Sequence, residues 1–236
     1  MANATGNLLL DHLPRPARRL CLEHGERVDV ETGDEILHQG ELATHAFFPA
    51  SAICSLTVGL RSGDKAEAAV VGREGLVGIS LIRGPGVSAY AAVVHVKGQG
   101  YRIPLSLLAR LLDRDAELRR AILAYAAFRL NVLGRSVACN AYHSIVERLA
   151  RWLLLTQDRI RRDEVALTHE MLSQLLAATR PRLSLAAAKL RRLEIIDYRR
   201  GSFRIVDRKR LERTACECYE ATKAHQKMLP WLPTPG

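Results

Sequence analysis

The chain has 236 residues, 48% of them hydrophobic, five cysteines and a formal net charge of +10. That length can bury one large core or two modest ones, and a basic balance suits a polyanionic partner. With no apolar run of membrane-span length, no signal-like N-terminus and cysteines odd in number and scattered (Cys21, Cys54, Cys139, Cys216, Cys218), the expectation is a cytoplasmic protein without a membrane partner or a disulfide framework.

Residues 7–24 read as a short helical lead-in broken by Pro14 and Pro16. From Glu26 to about Ile103 the texture changes to about seven short β-rich runs, from Val28–Val30 to Gly100–Ile103, separated by turn signals such as Thr32-Gly33-Asp34 and Ser62-Gly63-Asp64. Their spacing is that of a sandwich or barrel, and without interleaved long helices a Rossmann-type sheet is not expected.

Pro104 opens an α-helical region. A short helix is predicted over Leu105–Leu112 and a long one from about Asp115 to Asn140. Along the long helix Leu123, Ala126, Leu130, Leu133 and Val137 recur in steps of three and four, the narrow seam of a two-stranded coiled coil. Ile122, Tyr125 and Phe128 lie on another face and suit packing on the β-rich half. Tyr142–Arg159 forms a further helix with Ile145, Leu149, Trp152 and Leu153 on one face, followed by the polar stretch Arg161-Arg162-Asp163-Glu164. The division expected is residues 1–113, 114–140 and 141–236.

Leu167–Gly201 is the most telling stretch. Thr168 is a good N-cap with Glu170 in the first turn, and Leu172, Leu175 and Leu176 mark a packed helix. Ala177-Ala178-Thr179 breaks the rhythm, and Thr179 with Pro181 starts a second helix. That helix buries Leu183, Ala187 and Leu190 and shows Arg180, Arg182, Ser184 and Lys189 to solvent. Ile195–Tyr198, a basic tip at Arg199-Arg200-Gly201-Ser202, and Phe203–Val206 read as a hairpin wing. Any two packed helices give part of this pattern, but the charge distribution favours a DNA reader: residues 141–236 hold 19 Lys+Arg against 11 Asp+Glu, and residues 1–140 hold 16 against 14.

The order of these parts resembles the Crp/Fnr family of bacterial transcription regulators over nearly the whole chain. Ile36-Leu37-His38-Gln39-Gly40-Glu41, Phe47-Phe48-Pro49 and Val71–Gly78 are similar to landmarks of its cyclic-nucleotide-binding fold, and Glu147–Leu154 and the reader fit without gaps. The resemblance implies an α+β protein: an N-terminal β-roll (a cyclic-nucleotide-binding-like jelly roll), a long dimerisation helix and a C-terminal winged helix-turn-helix. It further implies a homodimer on a near-palindromic double-stranded DNA site, with RNA polymerase as a candidate partner. Base readout falls to Arg180, which stands where the family commonly contacts a guanine, and to Arg182, Ser184 and Leu185; Pro181 replaces a common glutamate. Thr168, His169, Thr179, Lys189, Arg199 and Arg200 are expected at phosphates. The family's turn glycine is Ala177 here, which puts the tight turn in doubt.

Cyclic-nucleotide binding is not expected. Gly78-Ile79-Ser80-Leu81 lacks the ribose-binding acid, Gly86–Ala91 lacks the phosphate-binding arginine, and Arg83 is displaced towards the loop. Gly78, Ser80, Ser88 and Tyr90 remain as a candidate pocket for another small-molecule effector. No cofactor is expected: Cys216-x-Cys218 with His225 is the one metal-like group, its spacing is weaker than a paired CxxC, and terminal-helix cysteines usually pack as small hydrophobes. A haem at His38 or His95 and an iron–sulfur cluster are disfavoured on similar grounds. No catalytic motif is present, and the carboxylate pairs Asp64/Glu67 and Asp113/Asp115 read as solvated charge. The competing reading is a ligand-sensing interaction module with only non-specific nucleic-acid binding.

Overall fold

Asn7 starts the fold by capping α1 (Leu8–His12): its side-chain oxygen accepts from the Leu10 amide at 2.8 Å. Its Nδ2 donates to the carbonyls of Pro49 and Gly75, both at 2.8 Å, so the N-terminus is tied to two distant loops at once. In this computed structural model, which describes residues 4–83, 86–160, 164–199 and 201–232, α2 then runs Arg15–His24. Pro14 sits at its N-cap and Pro16 in its first turn, where no amide partner is needed. The lead-in is thus two helices split at Pro14, and Pro16 begins the second instead of breaking it.

Seven strands follow: β1 (Glu26–Val30), β2 (Glu35–Leu37), β3 (His45–Pro49), β4 (Ile53–Gly59), β5 (Lys65–Val71), β6 (Ala91–Val96) and β7 (Gly98–Pro104). They form two antiparallel sheets, β1-β7-β3 and β2-β6-β4-β5, in which Phe47, Phe48, Leu56, Val71, Val94 and Ile103 are buried. α3 (Leu105–Arg114) and α4 (Ala116–Tyr142) close the open side of this roll. The Asp115 carboxylate caps α4 by accepting from Glu117 and Leu118, both at 2.9 Å.

α4 is long and apolar enough, by length and composition, to cross a membrane, contrary to the sequence expectation. Its apolar residues divide into two faces. Leu118, Ile122, Tyr125, Phe128 and Val132 are buried on the roll, and the buried Arg129 donates to the Val70 carbonyl at 2.9 Å. The other face carries Leu123, Leu130 and Val137, which are 61%, 69% and 72% exposed at intervals of seven.

α5 (Ile145–Ile160) leads into a second core, built with β8 (Glu164–Ala166), α6 (His169–Leu175), α7 (Arg180–Arg192), β9 (Ile196–Arg199), β10 (Ser202–Ile205), α8 (Arg208–Thr214) and α9 (Cys218–Gln226). The wing is a three-stranded sheet, β8-β10-β9, with Phe203 paired to Tyr198 on one side and Val165 on the other. The sequence reading left Glu164 in a linker; pairing to β10 makes it a strand residue. Arg161, Arg162, Asp163 and Arg200 lie outside the described residues.

Buried polar groups join the two cores. Arg159 of α5 donates to Glu74 from Nε (3.0 Å) and Nη2 (2.8 Å), with both side chains almost fully buried. Burial alone would raise the Glu74 carboxyl, but the Arg159 guanidinium brings it below its usual range. Trp152 donates from Nε1 to Glu67 at 3.1 Å, and the Ser55 hydroxyl donates to the same carboxylate while contacting His95 Nδ1 at 2.8 Å. Glu67 is therefore a buried structural acid, not the solvated charge expected from sequence, and burial raises its carboxyl.

Burial, and then the charge of Arg159, push the His95 imidazole down to about 3, so it stays neutral in the fold. The unfolded chain takes up a proton at this histidine as pH falls below about 6.5, and the fold does so only near 3. Stability from this group is therefore lost between those limits, by up to about 1.4 kcal/mol per pH unit. Chemical denaturation across that window is expected to show a flatter pH dependence for His95→Gln than for the natural chain; identical slopes would refute the buried neutral imidazole.

Candidate nucleic-acid interface

Local chemistry sets the reader. Thr168 caps α6, its hydroxyl accepting from the Met171 amide at 3.2 Å. α6 ends by wrapping back on itself: the amides of Ala177 and Ala178 donate to Gln174 (3.1 Å) and Ser173 (2.9 Å). This closure requires the left-handed backbone at Ala177, where φ is +43°. The turn missing its glycine thus forms, with an alanine in a strained conformation.

Thr179 is extended and precedes α7 without giving it a side-chain cap, and Pro181 occupies the first turn, where its missing amide is harmless. Leu183, Ala186, Ala187 and Leu190 are buried, mostly against α5. The opposite face presents Arg180, Arg182, Leu185 and Lys189 to solvent. Arg180 is 60% exposed and reaches back to Glu170 of α6 at 2.5 Å, so an acid in the reader's own first helix orients this guanidinium. Thr168 and Thr179 are exposed at the N-termini of the two helices.

Two expected contacts are given other work by the fold. The His169 ring stacks on Tyr198 of the wing at 4.3 Å and 21°, and its Nδ1 meets the Ser184 hydroxyl at 3.0 Å. Burial lowers the imidazole's pKa, and Nε2 is enclosed without a hydrogen-bond partner. His169 therefore joins α6, α7 and the wing, and Ser184 shares that joint. Both contacts have one cause: the first turn of α6 faces Tyr198 and Phe203, which sequence spacing does not reveal.

A functional group missed from sequence is Asp197. It is mostly buried on β9 and draws together Arg199 (3.0 Å), Arg191 (3.4 Å) and Arg204 (3.8 Å), fixing a basic cluster where the end of α7 meets the wing. Only Arg199 of these was expected; Arg200 lies outside the described residues. The alternation of Asp197 with Arg199 on the hairpin was the available signal.

Among the described cavities, one takes Ser80 and leaves out the other three residues expected to line an effector pocket. Ser80 faces a cavity of about 530 Å³ bordered by Ile82, Ile122, Leu123 and Ala126. The buried Ser88 instead spends its hydroxyl on the Tyr90 carbonyl at 2.6 Å, and Gly78 serves a left-handed turn with φ +93°. Ser88 and Tyr90, in the segment just before β6, are not in the lining of that cavity. Arg83 is paired with Asp113 across the same cavity.

The expected metal-like grouping is also redrawn. His225 bonds its own helix through the Ala221 carbonyl at 2.8 Å, while Cys216 and Cys218 meet Cys139 and His143 of the α4 terminus. Cys21 and Cys54 are buried thiols pushed up to about 12, and His38 is an exposed partner of Glu35 at 3.3 Å.

The strain at Ala177 can be measured. A left-handed alanine costs about 1–2 kcal/mol, and the extra freedom of an unfolded glycine takes back about 0.5–1. Ala177→Gly is expected to stabilise the protein by up to about 1 kcal/mol in urea titrations; a lower midpoint would mean that residue 177 is not held left-handed.

Residues 147–214 match the family model of the Crp-like helix-turn-helix domain. No curated protein sequence matches the chain. Among solved structures, it is similar to a transcriptional regulator assigned to the crp/fnr family from Eubacterium rectale, with a TM-score of 0.69 at 18% identity over 87% of this chain and 96% of that one. FixK2 from Bradyrhizobium japonicum gives 0.69 at 17% identity, covering 81% of this chain and 98% of that chain. The c-di-GMP responsive regulator CLP of Xanthomonas campestris gives 0.68 at 16%, covering 81% and 99%. The chain therefore carries a Crp-like helix-turn-helix domain on the fold of the Crp/Fnr family of transcriptional regulators.

Proposed function

We propose that the protein is a sequence-specific DNA-binding transcription regulator that acts as a homodimer on a near-palindromic site. The observation that carries this is the exposed face of α7, where Arg180, Arg182, Leu185 and Lys189 project opposite the buried Leu183, Ala187 and Leu190. Such a helix fits a major groove, with the guanidinium of Arg180 able to give two hydrogen bonds to guanine O6 and N7. Binding there trades the exposed Glu170 pair for a base edge, so Glu170 preorganises the reader without burying it. Lys189, Arg199 and the arginines gathered by Asp197 supply phosphate attraction on the same side.

The dimer reading rests on α4. Leu123, Leu130 and Val137 leave an exposed apolar stripe at heptad spacing, flanked by the half-buried Ala126 and Leu133. Gly134 has open space beside its Cα, which lets a second helix approach closely. A twofold seam of this kind sets two readers on one side of a duplex. Beside Ser80, the guanidinium of Arg83 is paired with Asp113, which competes with a cyclic phosphate for it. In this reading the roll scaffolds the dimer, or answers to a signal other than a cyclic nucleotide.

Selection of binding sites from random duplexes is expected to yield a near-palindrome. Arg180→Ala should relax one position per half-site by about 1–3 kcal/mol, whereas Lys189→Ala should weaken all sequences alike. An unchanged motif for Arg180→Ala would remove this residue from base readout. A salt-labile binding with no preferred sequence would favour the competing reading of a loosely binding interaction module. Leu130→Asp should yield a monomer by light scattering; a variant that stays dimeric would place the interface elsewhere.

A further inference from the structure

We propose that Cys139, His143, Cys216 and Cys218 form a metal site that holds one zinc ion and staples the C-terminal tail to the end of α4. The four donor atoms all lie within 4.8 Å of one another. Cys139 and His143 are one turn apart at the C-terminus of α4, so both point to the same side. Cys216 and Cys218 come from the tight connection between α8 and α9, which is closed by the Tyr219 amide on the Cys216 carbonyl at 3.0 Å. Tyr219 in turn bonds Asp158 at 3.0 Å and accepts from Arg208 at 2.7 Å, which locks the connection against α5.

Two of the separations match those between donors of a tetrahedral zinc. Cys139 Sγ lies 3.6 Å from Cys216 Sγ, and Cys218 Sγ lies 3.7 Å from His143 Nδ1. Metal–sulfur bonds of about 2.3 Å and metal–nitrogen bonds of about 2.0–2.1 Å place tetrahedral donors about 3.5–3.8 Å apart. Three thiolates and one imidazole are a donor set that suits zinc, and all four positions are filled by protein, as in structural sites.

The surroundings fit as well. His143 Nε2 lies 3.0 Å from the Glu217 carboxylate, so its Nε2–H donates outwards and the Nδ1 lone pair faces the thiols. Zinc with three thiolates carries one negative charge, and α5 sets Arg148 and Arg151 within electrostatic reach of the cysteines. Arg151 Nε is enclosed without a hydrogen-bond partner. The three cysteines are nearly fully buried yet form a cluster of their own, apart from both hydrophobic cores. Filling the site releases the three thiol protons to solvent, so affinity rises with pH.

Placement gives the site a consequence. It joins the helix proposed to form the dimer seam to the tail of the DNA-binding half, at the point where the chain turns from α4 into α5. Arg148 also donates to the Leu176 carbonyl, at the turn between α6 and α7. A bound ion would therefore brace the reader against the rod that carries it.

The test is metal analysis of the full-length protein, purified reduced and dialysed, with cobalt(II) titration of the metal-stripped form. One zinc per chain is expected. Cobalt should bind one equivalent with thiolate-to-metal charge-transfer and intense tetrahedral ligand-field bands, and zinc should displace it. Cys216→Ser, Cys218→Ser and His143→Ala should lose the signal, while Cys21→Ser, Cys54→Ser and His225→Ala keep it. Glu217→Gln should weaken binding about 10–100-fold. Circular dichroism checks that each variant is folded, and the natural chain alone is decisive. If that chain, reduced and folded, takes up no stoichiometric metal, carries an iron–sulfur spectrum, or yields a Cys139–Cys216 disulfide in place of an ion, the proposal fails.

Discussion

The carboxylate and backbone of Glu74 form the joint on which the architecture depends. Its side chain takes two bonds from Arg159 and one from the Gly72 amide at 3.2 Å, and its carbonyl accepts from Trp231 Nε1 at 2.9 Å. On either side, the Arg73 carbonyl accepts from Leu8, the Gly75 carbonyl from Asn7 and the Leu76 carbonyl from Tyr125. Four consecutive residues, Arg73 to Leu76, thus hold the N-terminus, α4, α5 and the tail. Gly75 is required here because any Cβ would lie 2.1 Å from the Tyr125 ring. A buried ion pair is a poor source of net stability, but losing one partner strands the other charge at about 3–5 kcal/mol. The pair therefore specifies how the two halves meet rather than simply gluing them.

Fixing α5 also fixes the reader. α7 lies across α5 through Leu183, Ala186 and Leu190, and the wing is brought up against α6 by the His169, Tyr198 and Phe203 stack. Each element of the reader is anchored by apolar or neutral contacts, which leaves its cations at the surface. The acids placed among them, Glu170 and Asp197, orient guanidinium groups without removing them from solvent. Exposed pairs of that kind contribute little to stability, so their use here is positional.

The long helix meets two demands with one sequence. A 27-residue helix buries one apolar stripe on the roll and exposes another at heptad spacing. Its last turn contributes Cys139 and the adjoining His143 to the thiol cluster. The rod, the tail and the reader consequently meet within a few side chains of residue 143.

Periodicity alone determined much of this protein. The strand runs of the roll, the two faces of α4, the cap at Thr168 and the burial of Leu183, Ala187 and Leu190 are local consequences of apolar spacing and turn chemistry, and they were legible because neighbours in sequence decide them. The order of the parts was legible too, in motifs such as Val71–Gly78. Tertiary structure decided everything that depends on residues far apart in the chain. His169 and Ser184 became a joint because the wing folds onto α6, and Glu67 became a buried acid because Trp152, 85 residues away, reaches it. Ser88 is buried with its hydroxyl on the Tyr90 carbonyl, outside the lining of the cavity that Ser80 faces. Cys139 and Cys216, 77 residues apart, became neighbours only because α9 returns to the end of α4. Side-chain type says which chemistry a residue can perform, but spacing in sequence cannot say which partners loop closure will bring to it.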